Sequence, residues 1–246
     1  MRKVFVSGAG MTAFDKQPGR GLRDMALEAI DQAVAGSGID RGRIQRVYFG
    51  NAIAPTVLQQ DMIKGQVALR DDILGRVPLM NVENACASGG SAFLMAVEAV
   101  ASGCVDIALA VGAEQMHHAD KSRAFNALRG STDVGDIGEY VPGEFSANSL
   151  LMDFYAGVAQ DYFANSDAEP SDFAAVAVKN RAHAALNPLA QLRAPQTVAV
   201  ERGGTSQQGR AMLLVTLAAA GGPSAAPSPP PSPRAASAGA ASSGHQ

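Results

Sequence analysis

The chain is predicted to fold as an α/β protein built around a layered sheet. Three observations carry that expectation. Short β-prone segments alternate with segments of helical period. The run "VDIALAVGAEQM" is apolar on both faces, as a central parallel strand should be. And 246 residues, 47% of them hydrophobic, suffice to bury a core.

The elements follow in order. "KVFVSG" is short, β-branched in part and closed by glycine, so it reads as a first strand. "LRDMALEAIDQAVAGSG" places Leu22, Met25, Ala26, Ala29, Ile30, Ala33 and Val34 on one helical face and stops at Gly36-Ser37-Gly38. "RVYFGN" is a second strand, "MIKGQVALRD" a weaker helix, "VPLMNV" a third strand and "SAFLMAVEAVASG" a helix closed by Gly103. "VDIALAVGAEQM" is then the fourth strand. From 117 to 150 the chain is polar and glycine-punctuated with neither period, which predicts a surface excursion. "SLLMDFYAGVAQDYFANSD" and "EPSDFAAVAVKNRAHAALNP" resume helical spacing, the latter between Pro170 and Pro188, and are candidates for a lid over the sheet.

Composition breaks near residue 172. From 173 to 246 there are six basic residues and one acid, a net +5, so the first 172 residues carry −8 of the total −3. From Gly221 onward everything is Gly, Pro, Ser or Ala except Arg234, His245 and Gln246, a mixture that cannot bury enough surface to offset its ordering entropy. Residues 194–246 therefore read as an aberrant low-complexity tail, disordered from about 221. Their bias is the one expected of GC-rich coding DNA read in a shifted frame. No basic face is offered to nucleic acid or anionic lipid, and no apolar run reaches the ~18 residues of a membrane span. Two cysteines are too few for a disulfide framework, and the N-terminus lacks a signal-peptide apolar region, so a cytoplasmic setting is expected.

"GAGMTA" fits the dinucleotide fingerprint G-x-G-x-x-A with Gly8, Gly10 and Ala13. Pro18, Gly19 and Gly21, however, delay the following helix to about Leu22. Its amides then cannot face a pyrophosphate, and nicotinamide binding is not expected. Cys86 in "NVENACASGGSAF" is the stronger candidate. A lone cysteine is commonly a small buried hydrophobe. This one lies at the opening turn of a helix, where backbone N–H groups and the helix dipole favour a thiolate. Ala85, Ala87, Ser88, Gly89, Gly90 and Ser91 leave room for a thioester and amides for an oxyanion. Cys104 follows the end of that helix and reads as a packing residue. His117 and His118 are neighbours whose side chains diverge on an extended chain, so no shared metal is expected. His183, four residues after Lys179, reads as part of a solvated helix face.

"NACASG", "VFVSGAGMTAFDKQPGR", "VYFGNAI" and "VKNRAHAALNPLAQ" resemble the thiolases, most closely the branch of sterol-carrier-protein-type thiolases, lipid-transfer proteins and acetyl-CoA acetyltransferases. The resemblance implies a thiolase-like layered fold of which residues 1–193 are the N-terminal half, a mixed central sheet flanked by helices. It implies an acyltransferase of fatty acid metabolism in which Cys86 attacks an acyl-CoA thioester and becomes acylated. Coenzyme A or a second acyl-CoA then interconverts 3-ketoacyl-CoA and shorter acyl-CoA. Asn84, Ala87, Ser88, Gly89, Glu114 and Met116 are expected near the site. Coenzyme A thioesters are expected as substrates, no cofactor as a resident group, and a homo-oligomer as the assembly. The family's Gly-His-Pro histidine and second catalytic cysteine have no match among His117, His118, His183, His245 and Cys104. Missing acid/base groups typically cost ~10²- to 10⁴-fold, so the chain is expected to be a truncated enzyme. The alternatives are a non-catalytic acyl-CoA-binding or assembly subunit and a nonfunctional fragment.

Overall fold

A computed structural model of the chain describes residues 1–16, 19–135 and 150–197. The low-complexity segment from 198 and the stretch 136–149 of the predicted excursion lie outside the described residues.

The first regular element is not a strand. Residues 1–13 are extended without sheet pairing, and Phe5 and Val6 are exposed at 82% and 69%. The backbone instead runs against the helix α1, Leu22–Ser37. A Cβ on Gly8 or Gly10 would collide with the Ala33 and Ala29 carbonyl oxygens of that helix. The Met11 N–H donates to the Gln32 side chain at 3.0 Å, and the Arg2 N–H to the Ala101 carbonyl at 2.9 Å. Glycine allows this close approach. β propensity in "KVFVSG" was overridden by where the segment docks.

α1 begins where the Asp24 side chain accepts the Gly21 N–H at 2.9 Å, and it ends at Gly38 in the left-handed conformation. Its buried face, Leu22, Ala26 and Ile30, is the one the periodicity predicts. After it come β1 (Arg46–Gly50), α2 (Ala54–Leu58), α3 (Lys64–Leu69) and β2 (Leu79–Val82). α4 (Ser88–Ala101) and β3 (Ala108–Gly112) complete the sheet region. The described strands form one parallel sheet in the order β2-β1-β3, with Tyr48 opposite Met80 on one side and Ala110 on the other. The central position thus belongs to β1, not to the "VDIALAVG" segment, whose residues 108–110 are only half-buried.

Alternation along β1 sorts the core into two faces. Val47 and Phe49, both fully buried, join Leu22, Ala26, Ile30, Leu69 and Leu74 on the side of α1 and α3. Tyr48 points the other way, onto Ala92, Ala96 and Ala99 of α4. Helices on both faces of a parallel sheet are what an α/β layer requires.

The excursion contains a helix that its composition did not reveal, α5, Ser122–Arg129. Asp120 starts it by accepting the Ser122 N–H at 3.0 Å and hydroxyl at 2.6 Å, and the Arg123 side chain donates to the Val57 carbonyl at 3.2 Å, tying it to α2. α6 (Leu150–Ala164) and α7 (Pro170–Leu186) follow. α7 opens with Pro170 in its first turn and the Glu169 N–H bonded to Asp172 at 2.8 Å. α6 packs on α5, and Phe173 of α7 stacks near Phe163 at 4.8 Å and Tyr162 at 6.1 Å. They are not the cover expected over these strands, whose faces are taken by α1, α3 and α4.

Candidate functional site

Cys86 is exposed on a short turn between β2 and α4. The turn is built from local bonds. Ala85 sits at φ 45°, a left-handed conformation that costs a non-glycine residue roughly 1–2 kcal/mol. Its N–H donates to Glu83 Oε1 at 2.6 Å, and its carbonyl accepts the Ser88 hydroxyl at 2.7 Å. That hydroxyl oxygen also accepts the Asn84 N–H at 2.9 Å, and the Ala87 N–H donates to the Asn84 carbonyl at 2.8 Å. Asn84 Nδ2 reaches Ser91 Oγ at 2.9 Å. So Asn84 and Ser88 brace the turn, while Cys86, Ala87 and Gly89 lie exposed upon it. No side chain caps the N-terminus of α4, two residues beyond Cys86.

Backbone close approach sets the turn on the sheet. A Cβ on Gly50 would lie 2.8 Å from the Ser88 carbonyl oxygen, and one on Gly112 would lie 3.5 Å from Gly89 Cα. Only glycine at the end of β1 lets the first turn of α4 rest there.

Glu114 follows β3, and its partner is Asn51 rather than Cys86. The residue is open to solvent at its outer side, but its carboxylate turns inward. It accepts Asn51 Nδ2 at 2.6 Å, the Ala52 N–H at 2.8 Å and the Ile53 N–H at 3.2 Å. Burial pushes its carboxyl above the ordinary glutamate range, with the Ala52 and Ile53 amides, the Lys64 charge and Asn51 pulling the other way. Met116 is half-buried beyond it, and His117 is exposed. His118 accepts the Asp120 N–H at 3.0 Å. Among the described residues no group of His, Cys, Asp or Glu is arranged to hold a metal, and no helix is long and apolar enough to cross a membrane. Gly8 and Gly10 lie against the flank of α1, away from any helix N-terminus.

Sequence reasoning missed Asn51 and Lys64. Asn51 is 1% and Lys64 8% exposed. Asn51 Nδ2 also donates to the Ala113 carbonyl at 2.8 Å, Oδ1 accepts the Ala54 N–H at 3.2 Å, and the Asn51 carbonyl accepts Lys64 Nζ at 3.2 Å. Its own N–H donates to the Val82 carbonyl at 3.1 Å. The available signal was a polar residue directly after an apolar strand, in "VYFGN".

The chain is similar to known proteins over most of its length. The thiolase N-terminal domain model matches residues 4–208. Benzoylsuccinyl-CoA thiolase subunit BbsB of Thauera aromatica is 34% identical over 197 residues, 77% of this chain and 45% of that protein. An acetyl-CoA acetyltransferase of Methanothermobacter thermautotrophicus is 32% identical over 208 residues, 82% of this chain and 50% of that one. Sterol carrier protein 2 of Gallus gallus is 29% identical over 202 residues, 80% and 36% respectively. Among solved structures, the Ltp2-ChsH2(DUF35) aldolase superposes with a TM-score of 0.55 at 24% identity, over 78% of this chain and 46% of that one, which supports the fold. The chain spans half or less of the length of these relatives. It belongs to the thiolase family and carries that family's N-terminal domain.

Proposed function

We propose that this chain is the nucleophile-bearing part of a thiolase-type acyltransferase acting on acyl-CoA and 3-ketoacyl-CoA. The observation that carries the reading is Cys86, exposed on a left-handed turn before an uncapped helix N-terminus. In the step proposed, the Cys86 thiolate attacks the thioester carbonyl. The new Sγ–C bond forms as the bond to the coenzyme A sulfur breaks, and that sulfur leaves as thiolate and takes up a proton. Backbone N–H groups of the Gly89-Gly90 turn are the donors proposed for the oxyanion. Deacylation to coenzyme A, or condensation with a second acyl-CoA, needs acid/base groups that the family resemblance assigns to histidines and a second cysteine not found in this sequence. A second chain or further sequence would supply them, in an assembly of subunits. A cytoplasmic location and a role in fatty acid metabolism belong to the same proposal.

The test is incubation with radiolabelled acetyl-CoA followed by peptide mass spectrometry. A thioester on Cys86, absent from Cys86→Ala, is expected. Binding of acetyl-CoA without covalent label would favour a non-catalytic acyl-CoA-binding subunit, and neither label nor binding would leave the acyl-CoA reading without support.

A further inference from the structure

Three strand ends meet at one buried residue, through its backbone and its side chain. Asn51 follows β1, its N–H holds the last residue of β2 through the Val82 carbonyl, and its Nδ2 holds the chain leaving β3 through the Ala113 carbonyl and Glu114. The Cys86 turn hangs from two of those ends. Val82 is four residues before Cys86, and Gly50, next to Asn51, is the surface on which Ser88 and Gly89 rest. Asn51 is thus the residue through which a shift of β3 or of the 51–54 turn would reach the cysteine.

Its neighbours leave it a single orientation. Glu114 Oε1 requires a donor from Asn51, the Ala54 N–H requires an acceptor, and Lys64 Nζ fixes the carbonyl behind them. A satisfied polar network around a buried side chain specifies one geometry where an apolar contact would allow several.

We propose that Asn51, locked between Glu114 and Lys64, is the positioning residue for Cys86, setting the nucleophile's turn without itself entering the chemistry. The proposal rests on the acyl-transfer reading above. It is tested in the full chain with Asn51→Asp, Glu114→Gln and the double variant. Asn51→Asp keeps size and shape but sets two carboxylates face to face. Adding Glu114→Gln restores a donor–acceptor pair at that contact with its polarity reversed, while the Ala113 carbonyl, which accepts from Asn51 Nδ2 at 2.8 Å, is left without its donor.

Two readouts are taken on each protein: the acylation of Cys86 across a range of acetyl-CoA concentrations, and the iodoacetamide labelling of Cys86 relative to Cys104. Cys104 is an exposed cysteine beyond the far end of α4 and serves as the internal reference. In Asn51→Asp the maximal acylation rate is expected to fall about 10- to 100-fold with little change in half-saturation, and the Cys86/Cys104 labelling ratio to fall several-fold. The double variant should recover part of both, through the repaired contact with residue 114. A wild-type rate and ratio in Asn51→Asp, or equal changes at both cysteines without rescue, overturns the proposal. If Asn51→Asp loses its circular dichroism signal, Glu114→Gln alone decides, with a fall of about 3- to 10-fold expected and no fall counting against it. Should the wild-type chain resist acetyl-CoA, the acyl-transfer reading fails, and the labelling ratio still decides whether Asn51 sets Cys86.

Discussion

At Glu114 the competing effects on one carboxylate can be separated. Burial raises its tendency to hold a proton, while two amides, a lysine and Asn51 favour the charge, and burial wins. A carboxyl raised in the folded state binds more protons there than in the unfolded chain. Its contribution to stability is therefore greatest below the ordinary glutamate range and declines as pH rises through the folded value. The amide introduced by Glu114→Gln does not titrate. The unfolding free energy of Glu114→Gln minus that of the wild type is expected to grow from about pH 4 toward about pH 7, measured by urea titration. A flat or falling difference would mean that the amides outweigh burial. The sequence placed Glu114 near the site through its resemblance. It did not show that the carboxylate faces Asn51, because the two are 63 residues apart and meet only when β1 and β3 pair.

Among the elements, β1 holds the centre of the core, with Val47 and Phe49 on one face and Tyr48 on the other. Phe49 is fully buried between Ile30, Leu69 and Leu74 on one face of the central strand. Phe49→Ala is expected to cost about 3–5 kcal/mol in urea unfolding, through lost transfer energy and an unfilled cavity. A cost below about 1 kcal/mol would mean that this face is not a packed core. The helices were legible because their signals are local: periodic apolar residues, Gly38 at a C-terminus, Pro170 in a first turn. α5 escaped notice because it is only eight residues long, with no buried residue, inside a polar stretch, so Phe125 and Leu128 are too few to establish a period. β-branched content predicted a strand at "KVFVSG" where none forms, since strand propensity has force only when a partner edge is available.

For the molecule as a whole, large apolar side chains remain open: Phe5, Phe93, Leu94 and Tyr162 are each at least half exposed. Open apolar surface drives association. Sedimentation velocity is expected to show concentration-dependent self-association that weakens in a Phe93→Ser, Leu94→Ser variant. Unchanged association in that variant would locate the contact elsewhere.

The sequence by itself determined the α/β class, most helix limits, the thiolase resemblance and Cys86 as the residue to test, because each rests on neighbours within a few positions. Tertiary structure alone decided which strand is central, that the N-terminal segment lies along α1, and that Asn51 ties three strand ends beneath the Cys86 turn. Those outcomes depend on pairings between residues far apart in the chain, such as Gly50 with Val82 and with Gly112. Register across a sheet is fixed by the packing of both its faces at once, and no local pattern contains that information.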